Sequence, residues 1–252
     1  MFPANARIAG LLLAPLLPMQ IAHAQTCESQ SAEKPPVVVE LYTSEGCSSC
    51  PPADRWLSSI EPGTDVVALA FHVSYWNHLG WEDRFATATT TQRQYSIKSA
   101  SGSPYVYTPQ VVLNGEDLRN WRGLAPDRLP HLAAVHAPAL RLRLEADLVF
   151  AEVGPSPFAG ELAGYWAVLE DGHVSRVKAG ENAGATLKHD HVVSHYQPVE
   201  AWNARVGHQL SMRLPESVAG QRVAFVVTDR QLAKPVQAAV LACNSTAATI
   251  RR

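Results

Sequence analysis

The chain has 252 residues, 46% of them hydrophobic and 17% charged, with 21 Lys and Arg against 23 Asp and Glu for a formal charge of −2. That is the composition of a globular protein, and it supplies no basic field for nucleic acid or an anionic membrane, which leaves proteins and small molecules as partners. The length allows two ordinary domains with their own cores.

Residues 1–24 read as an export signal: Arg7 is the early positive charge, an apolar stretch runs from Ile8 to Leu17, and Ala22-His23-Ala24 has the small-x-small cleavage pattern. Pro15 and Pro18 interrupt the stretch, which falls short of the roughly 20 apolar residues a membrane helix needs. The expected mature form therefore starts at Gln25, has no membrane span and is periplasmic or secreted. Residues 25–35 form a polar N-terminal arm, followed by the β-branched strand Val37-Val38-Val39-Glu40-Leu41-Tyr42. The loop Thr43-Ser44-Glu45-Gly46 delivers Cys47, and Pro51-Pro52 fit only the first turn of a helix, with Trp56, Leu57 and Ile60 on its buried side.

A second buried strand, Val66 to Val73, leads into the aromatic loop Ser74 to Trp81, then a helix over about Glu82 to Lys98. A proline-led strand, Tyr107 to Gly115, ends on an Asn-Gly turn, and a helix is expected over Pro126 to Val135. This order of elements is that of an α/β thioredoxin-like domain over 36–137, with the Cys pair leading the first helix. From Pro138 the texture changes to short strand-like runs between Gly, Pro and Asn turns, at Ala139–Leu148, Glu161–Leu169, Val174–Lys178, Val192–Pro198, Gln209–Leu214 and Arg222–Thr228. They suggest a small all-β sandwich-like domain over 138–245, with a C-terminal tail at 246–252. Asn244-Ser245-Thr246 matches a glycosylation acceptor, a short and frequent pattern that is given no weight.

The four cysteines sort by position. Cys47 and Cys50 flank Ser48-Ser49, while Cys27 and Cys243 lie near the mature termini and are candidates for a structural disulfide in an oxidising compartment. A helix start lowers a thiol's pKa by presenting backbone N–H donors and the positive dipole end, so Cys47 is the candidate nucleophile, with Cys50 less exposed and resolving the mixed disulfide. Ser48 and Ser49 can donate hydroxyls. Glu45 opposes thiol ionisation if it points inward, and His72 can orient the loop or tune Cys47. Tyr75, Trp76 and Trp81 are either a hydrophobic client surface or loop packing. His189, His191 and His195 would share one face of a continuous strand, read as a solvent-facing row on an edge strand in preference to a metal patch.

The strand Glu40-Leu41-Tyr42 before the Cys pair and the element Thr108-Pro109 resemble their counterparts in thioredoxins. That resemblance implies that Glu40 is the buried carboxylate taking a proton from Cys50, and that Pro109 is preceded by a cis bond and leaves backbone groups free to pair with an extended substrate. More closely, Val39 to Asp54, Phe71-His72-Val73, Tyr75-Trp76, Leu79-Gly80-Trp81, Gln92-Arg93-Gln94-Tyr95 and Tyr107-Thr108-Pro109-Gln110 resemble an exported domain-of-unknown-function family, numbered 1223. Gly180-Glu181-Asn182 to Val193 extends the likeness into the second half. The reading is a thiol–disulfide oxidoreductase with catalytic residues Cys47, Cys50, Thr108, Pro109 and Glu40, no cofactor, no resident metal, and protein thiols or disulfides, or a redox partner protein, as partners. Two alternatives stand beside it: a Cu(I)-binding metallochaperone of thioredoxin fold using the Cys pair and a histidine such as His72 or His78, and a non-catalytic adaptor whose Cys pair is a permanent disulfide.

Overall fold

The computed structural model describes residues 27–63, 65–131, 137–157, 160–215 and 221–243. The expected export signal, the tail, the Asn244-Ser245-Thr246 pattern and residues 132–135 of the expected third helix lie outside the described residues. In chain order the strands are β1 (Cys27–Gln30), β2 (Val37–Thr43), β3 (Val66–His72), β4 (Gln110–Leu113), β5 (Glu116–Asp117), β6 (Leu140–Glu145), β7 (Leu148–Val153), β8 (Glu161–Glu170), β9 (His173–Arg176), β10 (Thr186–His189), β11 (Val192–Asn203), β12 (His208–Arg213), β13 (Arg222–Asp229) and β14 (Pro235–Ala242). The α-helices are α1 (Pro51–Ser58) and α2 (Ala88–Ser101), so the described chain is mostly β-sheet. Among the described residues no helix is long and apolar enough to cross a membrane.

Eight strands form one mixed sheet in the order β14-β13-β8-β11-β3-β2-β4-β5, four form an antiparallel sheet β1-β6-β7-β12, and β9 and β10 pair on their own. Every residue of β2 is buried because the strand lies between β3, parallel to it, and β4, antiparallel, and is covered on both faces. Val37, Val39 and Leu41 pack with Ala53, Leu57 and Ile60 around α1, while Val38 and Tyr42 face the opposite side with Ile97 of α2. Helix α2 starts at Ala88, not at Glu82, because Thr87 and Thr90 form a capping box there. Residues before it wrap around Asp83, whose carboxylate accepts the backbone N–H groups of Glu45 and Phe85.

The two halves of the sequence do not build separate sheets on either side of residue 137. Strand β11 joins β3 in parallel at Val192 and Ala70, and the Ala70 N–H donates to the His191 carbonyl at 2.8 Å. One hydrophobic cluster takes Val38, Leu69 and Phe71 from the first half and Tyr165, Leu169 and Val226 from the second. The reason lies in β8 and β13, which are apolar on both faces and need two covers. The small sheet supplies one through Leu140, Leu142, Val149 and Met212 against Trp166 and Phe225, and the α2 side supplies the other. The expected arm is partly a strand, since β1 pairs with β6, and Cys27 is disulfide-bonded to Cys243 across a sequence separation of 216. Only a short 3-10 turn at Pro126–Arg128 stands where the start of the third helix was expected.

A buried ion pair ties the halves together. Arg93 of α2 donates to Glu40 of β2 at 2.6 Å and to the carbonyl of Leu232, and its guanidinium lies 4.6 Å from the ring centroid of Tyr165. The Tyr165 hydroxyl donates to the same carboxylate at 2.7 Å, and Tyr42 donates to its other oxygen at 2.5 Å. Removing one partner of a buried pair leaves an uncompensated charge, at a cost of about 3–5 kcal/mol. Arg93→Met is therefore expected to lower the unfolding free energy by about that amount in urea denaturation, while Arg93→Met combined with Glu40→Gln costs less than the sum of the two single changes.

Candidate functional site

Cys47 and Cys50 are joined in a disulfide with their Cα atoms 5.5 Å apart. The chain makes a turn at Cys47, closed by the Cys50 N–H on the Cys47 carbonyl at 3.2 Å, and Cys50 is the N-cap of α1. Pro51 and Pro52 open that helix, where their missing N–H groups leave no ladder bond unmade. It is Cys50, not Cys47, that occupies the helix start, with Cys47 one turn ahead of it. Ser48 and Ser49 are exposed between them, and Ser49 Oγ is 3.4 Å from Cys47 Sγ. Both cysteines have no accessible surface in this state, which corrects the expected contrast between an open Cys47 and a covered Cys50.

The cover comes from both halves of the chain. Gly46 has no side chain, so Trp76 can lie against the loop, its Cβ 3.0 Å from where a Gly46 Cβ would stand. The Trp76 indole N–H donates to Thr108 Oγ1 at 2.8 Å, and the Thr108–Pro109 bond is cis. Pairing of Tyr42 with Gln110 brings Pro109 alongside Thr43 at the end of β2. From the second half, a strap at Gly180-Glu181-Asn182 closes over the pair. Gly180 takes a φ of +74 beside Gly46, Asn182 Nδ2 donates to the carbonyls of Glu45 and Cys47 at 2.9 Å each, and Glu181 Oε2 accepts from Ser48 N–H and Oγ at 2.9 and 2.8 Å. These Ser48 bonds hold the Glu181 carboxyl below its ordinary range.

Glu40 stands apart from this chemistry. Its side chain is committed to Arg93, Tyr42 and Tyr165 on the face of β2 opposite α1, so it is a structural anchor and not the proton acceptor for Cys50. Behind the Cys turn lies a different polar cluster. His72 Nδ1 is 2.7 Å from Asp83 Oδ2, and Glu45 points inward, taking the Trp81 indole N–H at 2.7 Å with His189 Nε2 3.2 Å from its other oxygen. The rings of His72 and His189 meet edge to face at 4.9 Å, and Phe85 packs against both. Asp54, on α1, is 6% exposed and faces the same cluster. Among the described residues, no group of three or more His, Cys, Asp or Glu side chains is arranged to hold a metal ion.

The remaining expectations resolve locally. Tyr75 donates to Gln94, so Tyr75, Trp76 and Trp81 are half-buried braces whose polar tips are all engaged, which is the loop-packing outcome. His78 is exposed and contacts the Tyr75 carbonyl through Nδ1. His189, His191 and His195 do not share a strand face: His189 ends β10, His191 takes a φ of 57 and contacts the Ile60 carbonyl, and a register shift separates Val193 from His195 in β11. His189 and His191 are both buried, so the expected solvent-facing row is absent. Asp54 and Asp83 have no role in the sequence reading, Glu181 and Asn182 enter it only through the family likeness, and His189 only through the expected histidine row. Asp54 carried the one usable signal, being four residues beyond Cys50 and so on its helical face.

Fold and site together define a mixed-sheet protein with a Cys-x-x-C disulfide at the head of a helix, strapped from the second half of the chain. The chain belongs to the DUF1223 family, described as a protein of unknown function, whose model matches residues 38–228. A crystal structure of protein AGR_C_4864 from Agrobacterium tumefaciens is similar, with 31% identity and a TM-score of 0.64 over 88% of this chain and 99% of that one. HBP35 of Porphyromonas gingivalis, at 15% identity and a TM-score of 0.57 over 88% of this chain and 81% of that one, shares the fold alone. No curated protein matches the chain.

The His72–Asp83 pair has a pH signature. Burial pushes His72 down, but the Asp83 carboxylate outweighs it and the net shift is upward from 6.5; burial pushes Asp83 up, but His72 and two backbone N–H groups bring it below 3.8. The raised histidine contributes fully below its unfolded value and loses that contribution as pH rises through the folded one. The lowered aspartate contributes above its unfolded value and loses that as pH falls through the folded one. The stability difference between the native protein and Asp83→Asn is therefore expected to be greatest between about pH 4 and 6.5. It should shrink at both higher and lower pH in urea unfolding from pH 3 to 9.

Proposed function

We propose that the protein is an exported thiol–disulfide oxidoreductase of thioredoxin-like architecture, acting through Cys47 and Cys50. The observation that carries this reading is the disulfide turn at the N-cap of α1 beside the cis Thr108–Pro109 bond. The order β2-α1-β3, then α2 and the antiparallel β4-β5, supports the architecture. Two disulfides among four cysteines, with none free, support a periplasmic or secreted location, where such bonds persist. The partner is a protein dithiol or disulfide.

Exchange needs an approach to Cys47, and the strap bars it in the closed state. The strap is held on this side by two Asn182 bonds, each worth about 1 kcal/mol net, and by the solvent-screened Glu181–Ser48 contacts. Opening it is therefore a local event that leaves the sheet intact. Asn182→Ala is expected to speed reduction of the native protein by dithiothreitol about tenfold, which is what losing one to two such bonds allows, as read by thiol trapping over time.

The complete burial of both cysteines favours the second reading, a non-catalytic adaptor with a permanent disulfide. Titration in defined thiol–disulfide buffers separates the two. The oxidoreductase reading expects reversible two-electron reduction of Cys47–Cys50 under native conditions and a mixed disulfide on Cys47 trapped in Cys50→Ser. A pair that stays oxidised until the protein unfolds leaves the adaptor.

A further inference from the structure

The polar cluster behind the Cys turn holds two buried histidine nitrogens that no neighbour satisfies. His72 Nε2 and His189 Nδ1 are buried without a hydrogen-bond partner, while His189 Nε2 stands 3.2 Å from Glu45 Oε1 and the Thr43 hydroxyl is directed at Asp54. Buried polar atoms are nearly always paired, and a concentration of orphans in one place marks a functional arrangement or bound water. Both histidines gather near Asp54: Thr43 faces its carboxyl, and His72 and His189 lie close enough to attract it electrostatically.

Asp54 also has an unusual position. Its backbone N–H donates to the Cys50 carbonyl at 3.1 Å, so it is one helical turn below Cys50 on the same face, where side chains at this spacing approach within about 5–6 Å at Cβ. On its far side it lines a cleft of about 190 Å³ between α1 and β10, with Pro51, Arg55, Thr186, Leu187 and Lys188. Cys50 itself is sealed. Asp54 thus lies between a sulfur with no path to solvent and a cleft that has one.

We propose that Asp54 exchanges the proton with Cys50 Sγ when the Cys47–Cys50 disulfide opens and closes, directly or through one bridging water, and returns it to solvent through the α1–β10 cleft. The assignment rests on the thiol–disulfide reading above and gives Asp54 the role the thioredoxin resemblance placed on Glu40. On reduction, a partner thiolate attacks Cys47 Sγ, a new S–S bond forms between them, and the Cys47–Cys50 bond breaks. Its electron pair stays on Cys50 as a thiolate, which takes a proton from the Asp54 carboxyl. A second partner thiolate then attacks the partner sulfur of the mixed disulfide, forming the partner disulfide and releasing Cys47 thiolate. In the reverse direction the Asp54 carboxylate takes the proton from the Cys50 thiol, and the resulting thiolate displaces the partner from Cys47.

The electrical surroundings suit that exchange. Burial pushes the Asp54 carboxyl up from 3.8 against the pull of His72 and His189, so it holds its proton more strongly than a free aspartate and stands nearer the range of a useful general acid–base group. The charged and titratable groups that face it are His72 on β3, Asp83 before α2 and His189 on β10, with Arg55 and Lys188 at the cleft and Glu45 behind His189.

The test is resolution of a mixed disulfide. Reduced native protein and reduced Asp54→Asn are mixed with oxidised glutathione, and the glutathionylated species is followed by mass spectrometry from pH 6 to 9. The native protein should resolve it quickly; Asp54→Asn should hold it about tenfold longer at pH 7. That gap should close as pH rises and hydroxide deprotonates Cys50 unaided, and Asp54→Glu should recover part of the rate. Equal resolution rates and pH profiles for native protein and Asp54→Asn would overturn the assignment. A loss that persists unchanged at pH 9, or slows the first attack equally, would reduce Asp54 to a structural role. If the native protein neither forms nor resolves the mixed disulfide, it is the oxidoreductase reading that fails.

Discussion

The carboxylate of Glu40 lies buried in the middle of a sheet, and the rest of the molecule is arranged around that fact. Taking such a group from water costs several kcal/mol, recovered only when charge and hydrogen-bond donors surround it. Here the donors are Arg93 on α2, Tyr42 on the same strand and Tyr165 on β8. Because β8 belongs to the second half of the sequence, the first half cannot satisfy its own central strand. The apolar cluster beneath α2 has the same property, with side chains from β2 and β3 interleaved with those of β8 and β13. Sheet continuity, shared core and buried charge therefore impose one condition: the α/β portion is complete only with the β-rich portion docked.

That condition explains how a cysteine pair comes to be covered by residues far along the chain. Once β11 is paired beside β3, the segment leading up to it from β9 and β10 is carried over the Cys turn, and Glu181 and Asn182 meet Ser48 and the carbonyls of Glu45 and Cys47. The cover is held by a handful of hydrogen bonds, several at exposed atoms, whereas the sheet below is held by extensive apolar burial. A low-cost local opening over a rigid base is the energetic profile of segments that give access to reactive groups.

The sequence was most legible where local rules govern. Alternation and β-branching marked β2, β3, β8 and β13, and Pro51-Pro52 marked the start of α1, because these signals depend on a few adjacent residues. It was least legible where long-range pairing decides. Nothing local announces that β1 pairs with β6 more than a hundred residues away, or that β3 finds β11. The same limit applied to the site. Glu40 fits a buried acid next to a Cys pair by position, yet parity along β2 puts it on the face away from α1. Asp54, set by the four-residue helical spacing, was readable in principle, but its burial depends on His72, His189 and Thr43, which arrive from three other segments.

The two disulfides answer different demands, and loop length shows why. Cys27–Cys243 spans 216 positions and Cys47–Cys50 spans 3. In the chain-entropy model the first restricts the unfolded chain by about 5 kcal/mol and the second by only about 2 kcal/mol. The long-range bond joins β1 to the end of β14, so it fastens the small sheet to the large one and is costly to lose. The short one adds little that the turn at Cys50 and the hydrogen bonds around it do not already supply. A fold that keeps its stability when a bond is broken can let that bond cycle, and in this chain the bond meeting that requirement is the one at the head of α1.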